Sequence, residues 1–189
     1  WEINNEIDWP HFWKSGLPAY ADYLKRAARA LRAVDAKNVI VLGGLATDGV
    51  NAFEYDKTKA TANTLEELYK LGAGPDFDIV ALHPYSWKDD GIAISIKKIQ
   101  TAHGVMRAHG DADKRIWCTE IGLSTNHNPP WSDYSEEQQA RALRDMYTKL
   151  LEHPNVDKVF WYNFRCKGTD RNSQEDNFGI VNNDMTPRK

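Results

Sequence analysis

Two glutamates carry the chemistry that is easiest to read in this sequence. Glu6 closes the opening stretch "WEINNE" and Glu120 lies in "IWCTEIG", each at the end of an apolar run that reads as a strand. Two carboxyl groups brought together from distant strands can divide their work, one holding a proton and the other a charge. Cleavage of a glycosidic bond needs that division. Other strand ends add polar and aromatic groups: Asn5 beside Glu6, His83 and Tyr85 in "ALHPYSW", and Trp161 and Asn163 in "VFWYNF". Neither glutamate has a His-rich setting. The six histidines are scattered and only His83 stands at a strand end, so the pattern argues against a barrel metallohydrolase and predicts no metal site.

The elements that must position these groups alternate. "NVIVLGG" from Asn38, "FDIVALH" from Phe77, "RIWCTEIG" from Arg115 and "VDKVFWYNF" from Val156 are β-branched or aromatic runs of buried-strand type. Helical patterns separate them. Pro18 opens one whose apolar positions Tyr20, Tyr23, Leu24, Ala27, Leu31 and Val34 follow the 3.6-residue period, with basic residues opposite. Thr64 and Glu67 give a capping-box signature for the next, and Gly72 and Gly74-Pro75 stop it. Ile92, Ile96, Ile99 and Met106 mark a third, and Ser135 with Gln138 caps the last.

This is the βα rhythm of a parallel sheet. No strand is followed by a dinucleotide or phosphate-binding turn, since "LGGLATDG" lacks the spacing. A (β/α)8 TIM barrel is the architecture left, and functional side chains then belong at the C-terminal ends of strands. Such barrels typically run to roughly 250 residues, and the chain shows four full strands plus the stub at "WEI". It reads as an α/β chain forming the C-terminal half of a barrel. The first strands and the last helix are expected outside it, with the remaining half supplied by the same parent chain or by a partner chain, because bare parallel edges invite pairing.

Composition sets bounds. A hydrophobic fraction of 41% and a charged fraction of 27% fit a globular domain with one core. The net charge of −3, without a basic block, predicts no nucleic-acid partner. No apolar run approaches the ~18 residues of a membrane span, so no membrane insertion is expected. Two cysteines, Cys118 and Cys166, exclude a disulfide framework, and strand spacing keeps them apart as free thiols, Cys118 on the inward parity of Glu120. Seven Trp and eight Tyr exceed what a core of this size needs.

"WEINNE" resembles the Trp-Glu-x-x-Asn-Glu signature that ends the fourth strand of clan A glycoside hydrolases. "ALHPYSW" is similar to their sixth strand, "IWCTEIG" to their seventh, and "VFWYNF…NFGIV…DMTPRK" to the eighth strand and its loop. The order is closest to family 39 and its relatives, with family 5 a near alternative, and it covers nearly the whole chain as one partial catalytic domain, residues 1–189. Ile7-Asp8 departs from the Pro that many members carry after the acid. The resemblance implies a retaining double displacement on a β-linked poly- or oligosaccharide, with Glu6 as acid/base and Glu120 as nucleophile. It implies that Asn5 holds the sugar 2-hydroxyl, that Tyr85 donates to Glu120, that His83 braces the site and that Trp161 stacks under the sugar. It implies no cofactor, and a secreted or periplasmic location on which the residues themselves are silent.

Blander readings stand beside these. A strand-end glutamate can be a solvated ion-pair partner, His83 a satisfied structural histidine, Tyr85 a cap on the core and Trp161 a packing residue. Trp87 and Trp131 lie in loops after their strands, where they suit outer sugar subsites or simply cover helix ends. Glu2 and Asn4 read as structural. The competing functions are a catalytically inactive carbohydrate-binding relative, against which both intact glutamates argue, and a self-associating scaffold.

Overall fold

The computed structural model describes residues 1–46, 61–86, 91–129 and 132–188. Strand β1 (Glu2–Asn5), helix α1 (Gly16–Val34), β2 (Val41–Gly44), α2 (Thr61–Lys70), β3 (Ile79–Leu82), α3 (Gly91–Ala108) and β4 (Arg115–Ile121) alternate. A small antiparallel hairpin of β5 (His127–Asn128) and β6 (Ser132–Asp133) then precedes α4 (Glu136–Leu150) and β7 (Val156–Trp161).

Strands β1, β2, β3, β4 and β7 form one parallel sheet in that order. Ile3, Leu42, Val80, Leu82, Ile116, Cys118, Val156 and Val159 join Leu24, Leu65, Leu68, Ile99, Met106, Met146 and Leu150 in a single buried cluster. Helices α1 to α4 therefore cover the same face. Val41, Ile79, Ala81 and Trp117 make a separate small cluster on the other face. Sequential strand order with every crossover on one face is barrel winding; a doubly wound sheet would reverse and carry helices on both faces.

Local chemistry explains the element ends. In α1 the buried stripe is Tyr20, Ala21, Leu24 and Ala28. The expected members Tyr23 and Val34 stay exposed, and Tyr23 stacks instead on Trp13 at 5.6 Å. Pro18 falls in the first turn, whose N–H groups need no helical partner, so it costs no backbone bond. Helix α2 starts at Thr61, which places Thr64 inside it, buried, and not at the cap. Its other end follows expectation: Gly72 takes φ +76 and Ala73 donates to Leu68 O at 3.0 Å, closing a Schellman turn. Ser135 and Gln138 form the expected capping box. Both cysteines are free and buried, but Cys118 joins the helix-facing core and not the inward face.

Candidate active site

The C-terminal strand ends gather the polar groups. At the end of β1 the buried Tyr20 hydroxyl donates to Ile3 O at 2.8 Å and accepts Gly43 N–H at 2.9 Å, tying β1 to β2 just below the site. Beyond it Asn4 and Glu6 adopt φ of +73 and +43, backbone that glutamate seldom takes. Such strain is held only where surroundings fix it. Here they do: Ile7 is buried in the core and Asp8 accepts the Ala46 amide at 3.1 Å, so the two residues that depart from the family's pattern anchor the turn. Glu6 is thereby buried at 7% exposure, with Asn5 half-buried beside it.

His83 extends β3 and is buried, with Nδ1 at 2.9 Å from Glu6 Oε1 and Nε2 at 3.1 Å from Thr119 Oγ1. Helix α3 fixes the stretch that follows, through Ser95 Oγ donating to Pro84 O at 2.6 Å and Lys98 Nζ donating to Tyr85 O.

Glu120 reaches the same spot through a break in alternation. Cys118 pairs with Val159 and Ile121 with Trp161, so three steps along β4 match two along β7. The extra residue is a β-bulge, and bulges re-aim side chains next to active sites. Cys118 and Ile121 stay in the helix-facing core while Glu120 turns into the mouth. There the Tyr85 hydroxyl donates to its Oε2 at 3.1 Å, and His83 Nδ1 lies 3.8 Å away.

The end of β7 corrects one expectation. Trp161 packs against the helix-facing core, and its backbone N–H donates to the Tyr147 hydroxyl of α4 at 3.3 Å. It is thus on the wrong face to stack under a sugar. The next residue, Tyr162, stands on the cleft side: its ring and that of Tyr85 both meet Phe178 edge-on, at 5.2 and 6.1 Å. Its hydroxyl donates to Glu175 at 2.8 Å. "FWYNF" offers adjacent aromatics, and periodicity alone gave no means of choosing between them. Trp87 and Trp131 lie outside the described residues.

One donor atom each from Glu6, His83 and Glu120 lie within 4.8 Å of one another, a spacing close enough for a cation. Those donors are instead engaged with each other and with Tyr85. Burial raises the Glu120 pKa above the usual carboxylate range and the charge of Glu6 adds to it, while His83 and Tyr85 oppose without cancelling. The charge of Glu120 is therefore held less firmly than its Tyr85 bond alone suggests. For His83 burial works against the imidazolium, yet the Glu6 bond and the charges of Glu120, Glu6 and Glu2 outweigh it and the pKa is raised. Burial, with Glu120 alongside, lifts Tyr85 far above the ordinary phenol value, so it remains a donor.

The strands make a half-wound parallel barrel, with two glutamates meeting at its C-terminal rim. The chain matches the family model described as "Glycosyl hydrolase catalytic core" over residues 45–187 and belongs to that family. Its fold is that of the family 39 enzyme of Bacteroides cellulosilyticus WH2, at TM-score 0.70 and 21% identity over 99% of this chain. The family 39 enzyme of Xanthomonas axonopodis pv. citri gives 0.70 and 16% over 99%. A family 17 β-1,3-glucanosyltransferase of Rhizomucor miehei gives 0.64 and 14% over 92%. The chain spans 38% of each family 39 structure and 56% of the transferase, which makes it part of a TIM barrel. No curated protein matches it significantly.

Proposed function

We propose that this chain supplies the catalytic pair of a retaining glycoside hydrolase acting on a β-linked oligo- or polysaccharide. The observation that carries the reading is the approach of Glu6 and Glu120 oxygens to within 4.8 Å around His83. An approach that close suits the roughly 5–5.5 Å separation of retaining pairs.

Glu120 attacks the anomeric carbon as Glu6 gives its proton to the leaving oxygen, so the C–O bond breaks while a glycosyl ester forms on Glu120. Glu6, now a carboxylate, takes a proton from water; the water oxygen attacks the anomeric carbon and Glu120 leaves with its electron pair. Tyr85 holds Glu120 in line, and Asn5 binds the sugar 2-hydroxyl. Tyr162 replaces Trp161 as the aromatic beneath the reacting sugar.

Activated β-glycosides with β-glucans, xylans and mannans test this in the full chain beside Glu6→Ala and Glu120→Ala. Turnover is expected to fall in both, with azide giving a β-glycosyl azide from Glu6→Ala and an α-glycosyl azide from Glu120→Ala. Binding without turnover by the unaltered protein would point to an inactive carbohydrate-binding relative.

A further inference from the structure

Resting on that reading, the hydrogen-bond chain behind His83 assigns work to two residues that touch no substrate. The Thr119 hydroxyl donates to Glu2 Oε1 at 3.2 Å, and the same oxygen accepts the Gly44 amide at 3.0 Å. Glu2 Oε1 is thus an acceptor on both sides. A threonine hydroxyl has a single hydrogen to give. With that hydrogen on Glu2, Thr119 meets His83 Nε2, 3.1 Å away, only as an acceptor. Nε2 therefore carries a hydrogen whether the ring is neutral or charged, and Nδ1 is left as the one position that gains or loses a proton. Nδ1 faces Glu6 Oε1 at 2.9 Å.

We propose that Glu2 and Thr119 are positioning residues that pin the His83 tautomer, so that Nδ1, the ring atom hydrogen-bonded to Glu6, is the one that gains and loses a proton. With the ring charged, Nδ1–H donates to Glu6 Oε1 and the proton that Glu6 gives to the leaving oxygen is carried on its Oε2, so the Nδ1 proton stays in the contact after that transfer. It steadies the carboxylate that next deprotonates water, and no further proton source is required.

Carboxylates face the ring from β1 (Glu2), from the turn after it (Glu6) and from β4 (Glu120). Strand β2 brings only the uncharged Gly44, Tyr85 is a neutral phenol, and Lys98 of α3 ends on the Tyr85 carbonyl. Glu2 is exposed as a residue, yet its carboxyl group is hemmed in by Gly44 and Thr119. That loss of water raises its pKa, against the pull of His83, Thr119 and Gly44.

The test compares the full chain with Thr119→Val, Thr119→Ser and Glu2→Gln. In Thr119→Val the neutral ring is free to carry its hydrogen on Nδ1 and to donate to the Glu6 carboxylate. The basic limb of kcat/KM on an aryl β-glycoside should then move to lower pH by about one unit. Thr119→Ser should restore it. Glu2→Gln keeps an acceptor but loses a charge, so the limb should move down while the tautomer holds. Nitrogen-15 NMR of the His83 ring reads the tautomer without turnover: Nε2 protonated throughout the titration in the unaltered protein, Nδ1 protonated in neutral Thr119→Val. An unaltered ring protonated at Nδ1 when neutral would overturn the proposal, as would a uniform loss of kcat in Thr119→Val with the limb unmoved. Absence of hydrolysis by the unaltered protein would sink the glycosidase reading alone, since the NMR result decides the tautomer independently.

Discussion

A β-carbon built on Gly44 would fall 2.1 Å from Nε2 of His83. The end of β2 is bare because the imidazole fills the space that a side chain would need. Gly44→Ala should push the ring off Glu6 and Thr119, costing about 1–3 kcal/mol as overpacking does. Displacements of this kind cost activity on the order of a hundredfold. A thermal melt and kcat/KM on an aryl glycoside check both, and an unchanged pair of values would show that the ring has room to move.

Tyr85 and Glu120 give a second prediction. Removing the hydroxyl in Tyr85→Phe takes away a donor worth roughly 1.5–3 kcal/mol to a charged acceptor, about ten- to a hundredfold in rate. The bond favours the ionised carboxyl. Without it the Glu120 pKa climbs further, and the acid limb of the kcat/KM profile should move to higher pH. A slower enzyme with an unmoved limb would put the tyrosine in substrate contact instead.

Glu120 also links activity to stability. Its pKa is raised in the folded protein, chiefly by burial. Between the ordinary carboxylate value and the raised one, the folded state binds more protons than the unfolded chain, so stability falls as pH rises through that window. At neutral pH the ionised carboxyl therefore costs stability. Glu120→Gln should abolish turnover yet lift the melting midpoint at pH 7, by about 2–4 °C for each kcal/mol recovered. The gain should shrink at pH 4. Calorimetry at the two pH values is sufficient.

Arg188 fastens the last loop on either side of Phe178. Its side chain is 5% exposed, with Nε 3.1 Å from Glu136 Oε1 on α4 and NH1 2.9 Å from Gly179 O. A further guanidinium nitrogen donates to Thr125 Oγ1. Arg188→Ala strips these acceptors of their donor and should cost on the order of 3 kcal/mol. Urea denaturation would show it as a lower midpoint with an unchanged slope.

The elements of the site were legible because parallel strands write themselves as continuous apolar runs. Their ends, in a barrel, are where chemistry belongs. That rule picks out Glu6, His83, Tyr85 and Glu120 as candidates, and the structure brings all four together. The rule failed where a strand departs from its period of two. Parity through Cys118 aimed that thiol inward with Glu120, and the extra residue in β4 sends the two to opposite faces. Trp161 failed likewise, since the faces of β7 are set by its pairing with a bulged neighbour.

From residues alone this protein is a parallel barrel chain with a carboxylate pair, because apolar periodicity and strand-end chemistry are local properties. Only the tertiary structure decides which oxygen meets which nitrogen. The turn holding Glu6, the close approach of His83 to Gly44 and the path from Glu2 through Thr119 to His83 each join strands far apart in sequence. A contact of that kind depends on register, and a single inserted residue shifts register without leaving a pattern for periodicity to detect.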